Sequence, residues 1–207
     1  MKSFFSSFSE SLKSLKDLRT LTTAGILLAM AVAIRTFSIE VTADLRISFT
    51  FIPIAVIGML YGPVVCGAST FLLDFLGYII TNKSARFYSP QLALVVILSG
   101  IIYGMVLYKC DFHTEKIKSI VKVIVACGAV AMVCNVLLNT YFLYTLYVNK
   151  DFSPFADGAM KAYWAYTLPR LIKNLIEFPI RVAVLAIVLP AVKAAYDRVR
   201  AQFARPA

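Results

Sequence analysis

Six stretches of this chain run for fifteen residues or more with aliphatic and aromatic side chains dominating. They cover residues 18–39, 47–61, 63–80, 91–108, 119–148 and 163–196. A helix needs about 20 mostly apolar residues to cross a bilayer core about 30 Å thick. All but the short 47–61 run reach roughly that length. Hydrophobic residues make up 60% of the 207 and charged residues only 15%, so polar surface is too scarce for a water-soluble domain or a disordered chain. The runs therefore predict an all-α membrane protein, a bundle of six transmembrane helices with both termini cytoplasmic. The membrane domain spans 18–196, behind a cytoplasmic N-terminal leader at 1–17 and ahead of a basic cytoplasmic tail at 197–207.

Charge sets the orientation. The net charge is +10. Twelve basic residues fall on one side of such a bundle: Lys2, Lys13, Lys16, Arg19, Lys109, Lys116, Lys118, Lys122, Lys193, Arg198, Arg200 and Arg205. Five fall on the other: Arg46, Lys83, Arg86, Lys150 and Lys161. The excess marks the cytoplasmic face. The five outer ones exceed what topology alone asks for and point to an anionic ligand. Gly62-Pro63 separates the second run from the third, because proline suits a first helical turn and cannot continue the previous helix. Pro169, Pro179 and Pro190 predict kinks in the last run, or a final turn that continues along the interface. The leader, with Phe4, Phe5, Phe8, Leu12 and Leu15 among Ser and Lys, reads either as a surface-lying amphipathic helix or as a disordered segment.

Several chemistries are missing. There is no G-x-x-x-x-G-K-[ST], H-E-x-x-H or G-x-S-x-G motif. The single His113 supports no histidine-based metal site or triad. Cys66, Cys110, Cys127 and Cys134 form no C-x-x-C pair, and they read as buried small hydrophobes. Neither an enzyme nor an autonomous ATP-driven pump is indicated.

Charge inside a span costs about 2.5–3.5 kcal/mol per residue on insertion scales, so intramembrane charges mark sites. The last run carries Arg170, Lys173, Asn174, Glu177 and Arg181 on one helical face. Glu177 can serve Lys173 and Arg181 at i±4, which leaves Arg170 without an obvious local partner and favours it as a ligand contact. Asp74 in the third run is expected to pair with a basic residue of the sixth, or to accept hydrogen bonds from a heterocycle. Arg35 can snorkel to the interface and takes no special role. Asn135 reads as interhelical glue, while Asn139 is open between glue and ligand contact. The loop 81–90 is basic and aromatic: a solvated connector, or a lid in which Lys83 and Arg86 attract anions while Phe87 and Tyr88 cover a ring. Trp164 reads as a belt anchor or a stacking partner. Gly25, Ala29 and Ala33 recur every four residues, a spacing that admits a close helix neighbour.

Some of these residues sit in a recognisable pattern. Leu45 to Ile54 (LRISFTFIPI) resembles the start of the second helix of the substrate-binding S components of energy-coupling factor vitamin transporters. Met59 to Gly67 (MLYGPVVCG) resembles their G-x-L-x-G-P-x-x-G turn, and Asp74-Phe75-Leu76-Gly77 their D-x-L-G. Ser99 to Gly104 is similar to the G-L-I-Y-G of their fourth helix. Leu168-Pro169-Arg170 through Asn174, with Phe178-Pro179-Ile180, is similar to the last helix of the folate-specific members. The loop 81–90 departs from the Gly-rich pattern of those members.

The resemblance implies a subunit that captures a vitamin outside, most closely folate, and docks on a membrane coupling (T) protein driven by two cytosolic ATPases. Folate would be the transported ligand, with no bound cofactor. The family's A-x-x-x-A contact with the coupling protein falls on Ala29 and Ala33. Folate's carboxylates call for Arg46, Lys83, Arg86 or Arg170. Its rings call for aromatic walls, from Phe49, Phe87, Tyr144 and Trp164. The pterin edge calls for Asn139, Asn174 or Asp74. Another vitamin, riboflavin or thiamine, remains the alternative within the class, although cationic thiamine suits a basic outer surface poorly. A small membrane protein without a transport role is the alternative outside it.

Overall fold

The structure is a computed structural model, and it describes residues 2–37, 39–42, 45–81, 88–112, 114–148 and 159–204. It is helical apart from one short hairpin. Helix α1 spans Lys2–Ser14 and α2 spans Leu18–Thr36. Asp17 starts α2 by accepting the Arg19 backbone N–H at 3.2 Å. The first apolar run does not stay helical to residue 39: strands β1 (Ile39–Thr42) and β2 (Leu45–Ile47) pair antiparallel, with Glu40 opposite Arg46.

Helix α3 covers Phe51–Thr81 and is broken at Gly62, whose φ of 85° and ψ of −171° lie outside the range of ordinary L-residues. The break falls where the sequence places it. Its consequence is a reversal of direction. A straight helix would separate Ile54 from Cys66 by about 18 Å, yet the Cys66 thiol lies 3.3 Å from the Ile54 carbonyl. The arms 51–61 and 63–81 therefore fold back on each other with Gly62 at the vertex.

Helix α4 (Pro90–Leu107) runs against this pair. A Cβ on Gly104 would lie 2.4 Å from the Pro63 Cα, so only glycine permits the contact. After α4, one continuous rod comprises α5 (Lys116–Ala129), the π-helical segment π1 (Val130–Asn139), α6 (Thr140–Leu143) and π2 (Tyr144–Val148). Thr140 donates its hydroxyl to the Asn135 carbonyl five residues back, at 3.2 Å, in step with the widened turn. The last helix, α7 (Ala159–Ala204), has 46 residues and is about 69 Å long at 1.5 Å per residue. It runs through Pro169, Pro179 and Pro190 as one helix, where the sequence predicts kinks or a final turn that continues along the interface.

The core lies where α3 and α4 meet their neighbours, with Ile57, Leu107, Val123, Leu185 and Leu189 fully buried. All four cysteines are buried and free, as expected for small apolar residues. Much of the remaining apolar surface faces outward. Leu175 is 71% exposed and Ile187 73%. A water-soluble protein would bury such a surface. Five helical stretches of the described chain have the length and apolarity to cross a membrane: Leu18–Thr36, Phe51–Ile80, Pro90–Leu107, Lys116–Val148 and Met160–Gln202.

Candidate ligand-binding site

The two arms of α3 end beside a cavity of about 260 Å³, at the end of the molecule opposite the Gly62 vertex. Phe51 and Ile54 reach it from the first arm and Leu73 and Asp74 from the second. Arg35 comes from the end of α2, and Ser99 and Tyr103 come from α4. Asn135 enters from π1 and Arg181 from α7, with Ser48 and Thr50 at the rim before α3. Helix α2, both arms of α3, α4, π1 and α7 thus converge on one space lined by polar and apolar side chains.

The charges are paired. Arg35 donates to Asp74 Oδ1 at 3.3 Å and to the Leu73 carbonyl, also at 3.3 Å. Both side chains of the ion pair are mostly buried. The guanidinium passes directly over Gly77, where an added Cβ would sit 2.4 Å from its Cζ. Arg181 donates to Glu177 at 2.6 Å and lies over the Phe51 ring at 5.5 Å, while Lys173 holds the other Glu177 oxygen at 3.2 Å. This is the i±4 ladder expected from the sequence. Tyr103 is buried, and its hydroxyl has no hydrogen-bond partner among the described residues. The set offers an anionic acceptor (Asp74), neutral donor-acceptors (Tyr103, Ser99, Asn135), guanidinium donors and an aromatic wall. Such chemistry holds a flat polar heterocycle.

Three sequence expectations are corrected by this geometry. Asp74 pairs with Arg35 of α2 and not with a base of the last helix, because the hairpin in α3 turns Asp74 toward the end of α2. Arg35 is consequently a lining residue and not a snorkelling anchor. Arg170 also has a local partner. Only 5% exposed, it donates to the Tyr166 hydroxyl at 3.0 Å and stacks over that ring at 4.8 Å. The partner is an uncharged tyrosine one helical turn back, which charge pairing along the helix does not reveal.

The other expected residues scatter. Asn174 donates to the Arg170 carbonyl at 2.9 Å and accepts from Asn135 at 3.1 Å, which joins α7 to π1. Tyr144 is buried, with its ring 5.3 Å from Tyr163 and 5.4 Å from Tyr166, so it belongs to the cluster that holds Arg170. Asn139 is half-buried one turn beyond Asn135 and does not line the cavity. Phe49 is half-exposed, 6.0 Å from Phe51. Trp164 is 57% exposed on the outside of α7. Arg46 lies in β2 opposite Glu40, and its side chain is outside the described residues. Lys83, Arg86 and Phe87 fall outside the described residues altogether, while Tyr88 packs edge-on against Tyr78 at 5.2 Å. Sequence reasoning missed Arg35, Ser99, Tyr103 and Arg181 as lining residues. The lone charge of Arg35 near a span end was the available signal.

Fold and cavity together define a polytopic helical membrane protein with an open cavity between its helices, lined by both polar and apolar side chains. The family model for the substrate-specific component of ECF transporters matches residues 19–189, and the chain belongs to that family. Members are substrate-binding transporter components, not enzymes. The chain is 32% identical over 144 residues to a protein named folate transporter FolT from Clostridium novyi, covering 70% of this chain and 72% of that one. It is 30% identical over 162 residues to a FolT from Leuconostoc mesenteroides, covering 77% and 80%. Among solved structures, FolT bound with folic acid matches with a TM-score of 0.64 and 34% identity, covering 81% of this chain and 90% of that one.

Proposed function

We propose that this chain binds folate as the substrate-capturing subunit of an energy-coupling factor importer. The observation that carries the reading is the match, in both fold and sequence, to FolT bound with folic acid. The cavity chemistry supports it. A pterin edge presents amino and ring N–H donors that suit the Asp74 carboxylate, which Arg35 pairs with and orients. Tyr103 and Ser99 would complete the edge. The cavity takes a bicyclic ring but not the whole vitamin, so the aminobenzoyl-glutamate tail extends outward along α7. Arg170 stands 11 residues before Arg181 there, about 16 Å along the helix axis. It is the proposed partner for a tail carboxylate, with Arg46, Lys83 and Arg86 as further cations on that side.

The same reading counts the two arms of α3 as separate crossings, giving six, with both termini cytoplasmic in the cell membrane of a prokaryote. The basic residues gathered at the vertex end support this orientation. Gly25, Ala29 and Ala33 lie on the exposed face of α2, while Ala24 and Ala31 face the core. An exposed small-residue stripe suits docking on a membrane coupling protein, which two cytosolic ATPases would drive.

Calorimetry on the purified chain in detergent tests the ligand, with riboflavin and thiamine as controls. Tight folate binding that neither control reproduces is the expected result. Binding of riboflavin or thiamine instead would reassign the vitamin.

A further inference from the structure

The second arm of α3 begins without a cap of its own. The first N–H groups of a helix lack intrahelical acceptors, and the preceding residue normally supplies a side-chain oxygen. Here that residue is Gly62, which has no side chain. A Cβ at Gly62 would meet Ser11 at 3.0 Å and the Tyr108 ring at 3.1 Å, so no capping residue fits there.

The missing oxygen comes from α1. Ser11 is fully buried. Its hydroxyl accepts from the Val64 N–H at 3.1 Å and the Val65 N–H at 3.3 Å, and donates to the Tyr61 carbonyl at 2.7 Å. One side chain thus caps the start of the second arm and closes the end of the first. Glu10, the neighbouring residue of α1, accepts from Tyr108 at 3.3 Å and from Lys109. The leader is therefore bound to the vertex through both residues.

From Pro63 the second arm continues to Leu73 and Asp74, about 16 Å away on an 11-residue rise. We infer that Ser11 is a positioning residue for the cavity: by capping the second arm of α3 from α1, it fixes the tilt and axial position of the helix that presents Asp74. The consequence for ligand affinity rests on the folate reading above; the consequence for the arm does not.

The test uses the full chain in lipid nanodiscs, with Ser11→Ala and Ser11→Cys beside the wild type. Ser11→Cys keeps the packing and weakens the acceptor, so it serves even where the alanine variant fails to fold. Amide hydrogen exchange is read over 63–76, and folate affinity is measured on the same samples well below their melting temperatures. Exchange is expected to rise at Val64 and Val65 and also around Leu73–Asp74, with folate affinity at least fivefold weaker. Faster exchange confined to Val64 and Val65 with unchanged affinity would overturn the inference and leave Ser11 a local cap. If the wild type does not bind folate, the folate reading fails alone. Exchange around Leu73–Asp74 then decides: a rise supports the positioning role, and no change overturns it.

Discussion

The Arg35 guanidinium holds the Asp74 carboxylate at 3.3 Å across the gap between α2 and the second arm of α3. Neither charge has much water around it. Removing one partner of such a buried pair costs about 3–5 kcal/mol, because the other charge is stranded. Asp74→Asn keeps the shape and removes the charge. It is expected to lower the thermal midpoint in detergent and to weaken folate binding more than tenfold. The double change Arg35→Met with Asp74→Leu should recover much of the midpoint but none of the affinity. Wild-type affinity in Asp74→Asn would make Asp74 a strut and nothing more.

Gly77 gives Arg35 its path. A methyl group at 77 would occupy the space of the guanidinium carbon, at 2.4 Å. Helix propensity favours alanine over glycine by about 1 kcal/mol, so Gly77→Ala should not weaken the helix itself. The expected outcome is displacement of Arg35, a lower thermal midpoint because Asp74 loses its partner, and a fivefold or greater loss of folate affinity, read by calorimetry.

Asn174 ties two helices at once, through the Arg170 carbonyl and the Asn135 amide. Asn174→Ala leaves Asn135 without this partner in a half-buried setting. A stranded polar group costs about 1–3 kcal/mol. The thermal midpoint should fall accordingly, and Asn135→Leu added to Asn174→Ala should restore part of it. Additive losses in the double variant would show that the two amides do not act as a pair.

Arg170 separates head from tail recognition. If it meets a glutamate carboxylate, Arg170→Ala should weaken folate more than tenfold and leave pteroate, which lacks the glutamate, within about twofold. Equal losses for both ligands would assign Arg170 to the Tyr144–Tyr163–Tyr166 cluster alone.

The tie between α1 and the end of α4 should depend on pH. The hydrogen bond from Lys109, and then its charge, hold the Glu10 carboxyl below its ordinary value of 4.5. The same hydrogen bond raises Lys109 above its ordinary 10.5. A lowered carboxyl contributes stability above its ordinary value and loses it as pH falls through the lowered one. The raised amine contributes below 10.5 and loses it as pH rises through its raised value. Amide exchange in α1, corrected for its intrinsic pH dependence, should therefore be slowest between the two ordinary values and accelerate as pH falls through the lowered Glu10 value. Glu10→Gln should remove the acid limb. A pH-independent exchange pattern in the wild type would show that α1 is held by Ser11 without help from Glu10.

Membrane character was legible in the sequence because it depends on the length and purity of apolar runs, which are local properties. The Gly62-Pro63 break was legible for the same reason: a glycine at positive φ and a proline without an N–H act on their own backbone. The Lys173–Glu177–Arg181 ladder follows from helical spacing alone. Tertiary structure decided which charges meet. Arg35 and Asp74 are 39 residues apart, and only the reversal of α3 brings the latter to the end of α2. Ser11 and the amides it caps are more than 50 residues apart, so the leader could not be read as a structural part from its own composition. Local periodicity sets which face of a helix is polar. The partner across the gap depends on how the helices fold back on one another, and no single segment encodes that.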